Sequence, residues 1–323
     1  MPVELQLPFL QSAVVPLALA IVLMAIGWWR STHQSAVRQA RFGASDAPAD
    51  PSVPMPEDAL PRVAGAVTLT VVSVITGAWV LWSPGLLEGG WRVTSAEKWI
   101  PWAAIMAGAI AIVSSVLPRN GRGVFVTRVI AAFTLTFIVV AWSFVGGGAW
   151  RWPAERPEIM TFVLALVFGT SLWYALRSLL NSVRGVEAGL SLVILCTAIS
   201  IVLVVVGSAK HAQIAGALGA ASGGVCVVAL FRPRLALFGA AMIVCPLLSM
   251  LLYQSVLYTD GHTRASAVLF LLPLVIALGT KHARSVRKSS GVVPVITRLA
   301  MIALGAIIVV AVIASSVPTP EAY

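Results

Sequence analysis

Long apolar runs separated by short polar breaks fill almost the whole chain, and this pattern sets the expected architecture. A helix needs about 20 mostly apolar residues to cross the hydrocarbon of a bilayer. Ten runs come close to that length, at residues 10–29, 63–82, 99–117, 129–148, 159–176, 186–206, 212–231, 235–256, 265–279 and 299–317. The ninth is short, and the sixth and seventh are nearly continuous. The pattern predicts an all-α fold, a polytopic transmembrane helical bundle of about ten spans. It forms a single membrane domain over residues 1–323.

The polar breaks are short with one exception, residues 30–62. Its middle, GASDAPADPSVPMPEDALP, is rich in Pro, Ala and Asp and has little to bury, so it reads as a flexible cytoplasmic linker. The stretch KHARSVRKSSGVVPVITR is basic first and apolar later, which suits an interfacial segment as well as a plain loop. Two sets of five spans would make inverted repeats. However, Pro246 and Pro273, the expected kinks of the eighth and ninth spans, have no counterparts in the third and fourth.

One stretch, GSAKHAQIAGALGAASGG at 207–224, departs from the bulky apolar norm. On a helix, Ala212, Gly216, Ala220 and Gly224 recur every four residues on one face, with Ala215, Gly219 and Gly223 beside them. Small residues in such rows let helix backbones approach closely in lipid. The seventh span is therefore expected to be the most enclosed, with Ile214 and Leu218 turned away from that seam.

Composition agrees with the pattern. Of 323 residues, 59% are hydrophobic and only 11% charged, against about 25% charged in a soluble domain. The net charge of +10 would suggest nucleic acid in a soluble protein, but the placement of the charges argues otherwise. With the N-terminus outside, Arg30, Arg38, Arg41 and Arg62 fall in the first inside loop, and Arg119, Arg122 and Arg128 in the second. Arg177 and Arg184 follow, then Arg232 and Arg234, then Lys281, Arg284, Arg287, Lys288 and Arg298. Every inside loop thus carries at least two basic residues, as the positive-inside rule requires. Both termini are expected outside, in a multi-pass protein of the cell's cytoplasmic (inner) membrane. The basic face favours anionic lipid head groups as partner over nucleic acid. The N-terminal MPVELQLPF lacks Lys and Arg, so a retained first helix is expected in place of a cleaved signal.

Candidate chemistry is sparse. No Asp, Glu or Lys lies in the middle of a span, and Arg128, at the inner edge of the fourth, is expected to snorkel to the interface. Proton and ion coupling usually leave such residues in the membrane, so a coupled pump is disfavoured. His33, His211, His262 and His282 all lie off the span centres, which excludes a pair of haem-ligating histidines on facing spans. His211 and His262 share the outer side with Asp260 but lack diagnostic ligand spacing, so they read as solvated, with no metal and no cofactor expected. Cys196, Cys226 and Cys245 sit in apolar runs as small hydrophobes.

No HExxH, GxSxG or phosphate-binding loop occurs. The nearest thing to a nucleophile is Ser208 with Lys210 and His211, and a hydrated loop lysine is a poor base. No enzyme activity is expected.

All eleven tryptophans fall between Trp28 and Trp173. Many gather at the outer ends of spans two to four, as an aromatic belt or as a docking surface. The candidate outer-face binding residues are Trp91, Trp99, Trp150 and Trp152, with Lys210, His211 and His262. The function that fits is a small permease- or flippase-like transporter of a neutral or amphiphilic solute. The alternative is a non-catalytic structural or assembly subunit, with other membrane subunits as partners.

Overall fold

In the computed structural model, the described residues are 14–23, 26, 99–116, 122–145, 156–183, 185–231, 237, 239–258, 272–273, 275–277 and 292–316. Among them the protein is all helical, with no strand. The principal helices are α1 (Ile100–Val116), α2 (Arg122–Val145), α3 (Arg156–Ser182), α4 (Gly185–Val205), α5 (Ala209–Phe231), α6 (Ala240–Tyr258) and α7 (Val292–Ser316). Helical turns also cover residues 14–23 and 275–277. Among the described residues, five stretches are long and apolar enough to cross a bilayer: Gly123–Ala141, Phe162–Asn181, Val186–Val205, Ala209–Phe231 and Val295–Ser315. Ile100–Val113 and Ala240–Ser255 are shorter but equally apolar in character. These helices mark the chain as a multi-pass membrane protein. The expected span at 63–82, and most of that at 265–279, lie outside the described residues, as does the linker at 30–62.

Outward faces are as apolar as the interior. Ile130, Phe133 and Phe137 on α2, and Leu304, Ile307 and Ile308 on α7, are exposed. A continuous surface of that kind is solvated by lipid, so burial and apolarity are uncoupled along these helices.

The centre of the bundle is α6. Every side chain described from Ala240 to Ser255 is buried, and the helix packs against α1, α2, α3, α4 and α5. This corrects the expectation that the small-residue helix, α5, would be the most enclosed. An evenly apolar helix has no preferred outward face, and α6 runs AAMIVCPLLSMLLYQS without a single charge. Pro246 lies inside it and cannot donate a bond to the carbonyl of Met242, one turn earlier. Ser249 Oγ ties α6 to α3 by donating to the Ala165 carbonyl at 2.7 Å.

The most extensive helix pair is α4 with α5, an antiparallel hairpin closed by three residues. Its turn has a local cause. Gly207 takes φ 88°, its N–H bonds the Val204 carbonyl at 2.9 Å, and the Ser208 N–H bonds the Leu203 carbonyl at 2.8 Å. This pair of bonds is the Schellman ending of a helix, which needs a left-handed residue at that position. The two helices are then joined by Ser200 Oγ, which donates to the Ala212 carbonyl at 2.7 Å.

On α5, Ala212, Gly219 and Gly224 are buried, while Gly216, Ala220 and Gly223 are half-buried. Ile214 and Leu218, expected to turn away from that seam, are buried as well. Helix α5 has neighbours on more than one side: α4 and α6, and residues 14–23. A Cβ built on Gly224 would stand 2.7 Å from the Leu17 carbonyl oxygen and 2.8 Å from Ala20 Cβ. The first helix therefore lies directly on that glycine.

Charge placement also differs from the sequence expectation. Arg128, Arg177 and Arg298 lie within helices and are buried. Arg298 forms a two-pronged ion pair with Glu187, Nε to Oε1 at 2.5 Å and Nη2 to Oε2 at 3.0 Å. That pair sets the starts of α4 and α7 at the same end of the bundle. The arginines were assigned to loops because each lies near the border of an apolar run. The helices extend past those borders, as with α3, whose 27 residues span about 40 Å.

Candidate functional site

Two places in the described structure combine shape or burial with usable chemistry, and they share no lining residue. The first is at the Ser208 end. Ser208 occupies the N-cap position of α5, where its carbonyl accepts the Ala212 N–H at 3.0 Å. Its hydroxyl is hydrogen-bonded to His211 Nδ1. The other ring nitrogen, His211 Nε2, is 2.9 Å from Gln254 Oε1 on α6. His211 is 4% exposed and Gln254 is 0% exposed, whereas Ser208 is half-buried and Lys210 is exposed. His211 is thus a buried histidine held between two helices, where a solvated one was expected.

Aromatic side chains adjoin this polar row. Tyr253, next to Gln254 on α6, meets Phe162 edge-to-face at 6.1 Å between centroids, and Phe162 meets Phe137 in the same way at 5.8 Å. Trp99, expected on the outer face, is instead buried and donates its indole N–H to the Val139 carbonyl at 3.1 Å. Trp91, Trp150, Trp152 and His262 lie outside the described residues.

The second place is a groove of about 600 Å³ along the seam of α2 and α3, facing Pro273 and Ala277. Its walls include Val129, Phe133, Val167 and Trp173. Thr170 and Ser171 also line it, but their hydroxyls donate to the Leu166 and Phe168 carbonyls of their own helix, at 2.8 and 2.9 Å. Hydroxyls satisfied in this way present little polarity, so the groove is apolar throughout. From Tyr174 to Leu166 it follows α3 for about 12 Å.

Arg177 stands at the foot of this seam, at the Glu187 end. Its guanidinium lies 4.7 Å from the Phe125 ring centroid and 5.3 Å from that of Trp173. Aromatic faces hold a guanidinium in place by cation–π attraction. Arg128, on the same end of α2, is 2% exposed. Neither arginine is marked by the sequence as a site residue: Arg177 reads as a loop charge and Arg128 as a span-edge residue snorkelling to the interface.

Among the described residues, no three His, Cys, Asp or Glu side chains gather as a metal site. Cys196, Cys226 and Cys245 are buried free thiols. Comparison of the chain with protein-family models, curated proteins and solved structures finds no match.

Proposed function

We propose that the protein is a permease- or flippase-like carrier of an amphiphile, built of ten spans with both ends outside the cytoplasmic membrane. The observation that carries this reading is the apolar groove on the α2–α3 seam with Arg177 at its foot. An acyl or isoprenoid chain would lie along Val129, Phe133 and Val167 without desolvating a polar group. The positive charge fixed against Phe125 and Trp173 would favour an anionic head at that end over a neutral one. In the orientation derived from the loop charges, that end faces the cytoplasm, where the basic excess already attracts anionic head groups.

The packing of α6 suits movement as well as support. Proline-broken helices are tolerated where neighbours re-satisfy the freed carbonyl, and Pro246 sits in the helix that touches most of the others. A bend there would shift α2 and α3 together and alter the seam between them.

The test is lipid translocation in vesicles containing the full chain and a fluorescent anionic phospholipid, with dithionite destroying the fluorescence of the accessible leaflet. The expected result is faster loss of the protected pool than in protein-free vesicles. Val167→Trp, which fills the groove, should slow that loss at least tenfold, equivalent to about 1.4 kcal/mol. Arg177→Gln should slow an anionic lipid more than a zwitterionic one. A wild-type rate equal to that of empty vesicles overturns the carrier reading. Recovery of a stoichiometric membrane partner after gentle extraction would then favour the subunit alternative.

A further inference from the structure

The cluster at the Ser208 end has a proton arrangement that the groove does not use. Gln254 Oε1 can only accept a hydrogen bond. With Gln254 placed so that Oε1 faces His211 Nε2 at 2.9 Å, the neutral ring is assigned its proton on Nε2, with the Nδ1 lone pair toward Ser208. Ser208 Oγ is the group bonded to that Nδ1, so the serine donates its O–H to the imidazole. A hydroxyl whose proton already points at a neutral imidazole, itself fixed by an acceptor behind it, is an activated nucleophile.

Burial separates the roles. The base and the group that orients it are enclosed, at 4% and 0% exposure, while Ser208 is half-buried between exposed Gly207 and Ala209. Helix α5 begins at Ala209, directly after Ser208, so its unpaired first-turn amides and Lys210 give that end a positive character. A positive helix end of this kind favours the negative charge that develops when a carbonyl is attacked.

A purely capping role would need only the hydroxyl of Ser208. It would not account for an imidazole enclosed within a membrane protein and a carboxamide on a second helix aimed at its far nitrogen. Ionisable groups enclosed in that way carry function by default.

We propose that Ser208, His211 and Gln254 form an acyl-transfer site for a carboxylic ester approaching from the Ser208 end. Ser208 Oγ attacks the ester carbonyl carbon as its proton passes to His211 Nδ1. The ester C–O bond then breaks, and the leaving alcohol takes that proton from His211, leaving the acyl group on Ser208. Water attacks the acyl-serine, gives a proton to His211 and releases the carboxylic acid, and the proton returns to Ser208. Ser208 and His211 are the catalytic residues, and Gln254 is a positioning residue that fixes the tautomer. The site is independent of the groove, with which it shares no residue.

The test uses the full chain in detergent or nanodiscs, an alkyl fluorophosphonate as covalent probe and 4-nitrophenyl butyrate as chromogenic ester. Peptide mass spectrometry should find the phosphonyl group on Ser208, and Ser208→Ala should abolish labelling. His211→Gln should slow labelling and ester cleavage about 100-fold or more, the usual contribution of a general base. Gln254→Leu should also slow both, while Gln254→Glu, which keeps an acceptor, should restore them at an unchanged gel-filtration profile. If Ser208→Ala does not fold, Ser208→Cys should transfer reactivity at this position to iodoacetamide. No label on Ser208 under conditions that label a control serine hydrolase overturns the proposal. So does labelling undiminished in well-folded His211→Gln, which would reduce Ser208 to a helix cap.

Discussion

At the scale of residues, the structure changes the meaning of a few polar side chains more than that of any apolar one. Most hydroxyls behave as their isolated positions suggest, donating to a carbonyl one turn back, as Thr136 does to Ala132 and Ser222 to Leu218. Glu187 and Arg298 are different, because 111 positions of sequence separate them. Each alone reads as a charge at the edge of an apolar run. Together they form an ion pair with side chains only 11% exposed on both sides. Removing one partner of such a pair strands the other charge, at a cost of about 3 kcal/mol. Glu187→Gln should therefore lower the stability of the solubilised protein by that order, read as denaturant or thermal unfolding. Adding Arg298→Gln to it should recover part of the loss, because no charge is then stranded. If the single and double variants lose stability additively, the pair is not coupled.

Small-residue rows were legible on the helix that became α5, but which neighbour each row meets was not. A row says only that something comes close. Ser208 and His211 were likewise visible as neighbours in the chain, while Gln254, 43 positions from His211, looked like one more polar residue in an apolar run. The signal that joins them is spatial.

Among elements, the informative comparison is between two adjacent glycines of α5. A Cβ at Gly224 would press on the backbone of residues 14–23, at 2.7 Å from the Leu17 carbonyl oxygen. A Cβ at Gly223 would meet only side-chain carbons at ordinary distances, Leu17 Cδ1 at 3.5 Å and Val193 Cγ2 at 3.9 Å. Overpacking against backbone costs about 1–3 kcal/mol, whereas replacing an unobstructed helical glycine with alanine gains up to about 1 kcal/mol. Gly224→Ala should therefore lower the melting temperature in detergent and Gly223→Ala should leave it level or raise it. Equal behaviour of the two would place the first helix elsewhere. Helix lengths show the same dependence on neighbours. Apolar runs under-read α2, α3 and α7 because each carries an arginine that a packed or paired environment holds inside the helix. Hydropathy treats that charge as a boundary.

For the whole molecule, the loop charges make a claim that the bundle geometry leaves to experiment, namely which end faces the cytoplasm. Single cysteines introduced by Ser45→Cys and Ser95→Cys test it in intact cells with a membrane-impermeant maleimide. The three native cysteines are buried, so they add little background. Ser95→Cys should label directly, and Ser45→Cys only after the membrane is opened. The reverse pattern would invert the bundle and with it the side from which an amphiphile or an ester arrives.

The residue pattern by itself determined that this chain is helical and lives in lipid. Both properties follow from local sums, the length of an apolar run and the rarity of charge within it. It also marked α5 as a close-packing helix, since small side chains remove bulk whatever stands opposite. Only the tertiary structure decided that α6 is the hub, that Arg177 closes the foot of an apolar seam, and that Gln254 stands behind His211. In lipid an outward face and an inward face can be equally apolar, so hydropathy does not distinguish them. Which helix lies at the centre, and which polar groups meet, then depends on shape and hydrogen bonding between segments far apart in the chain.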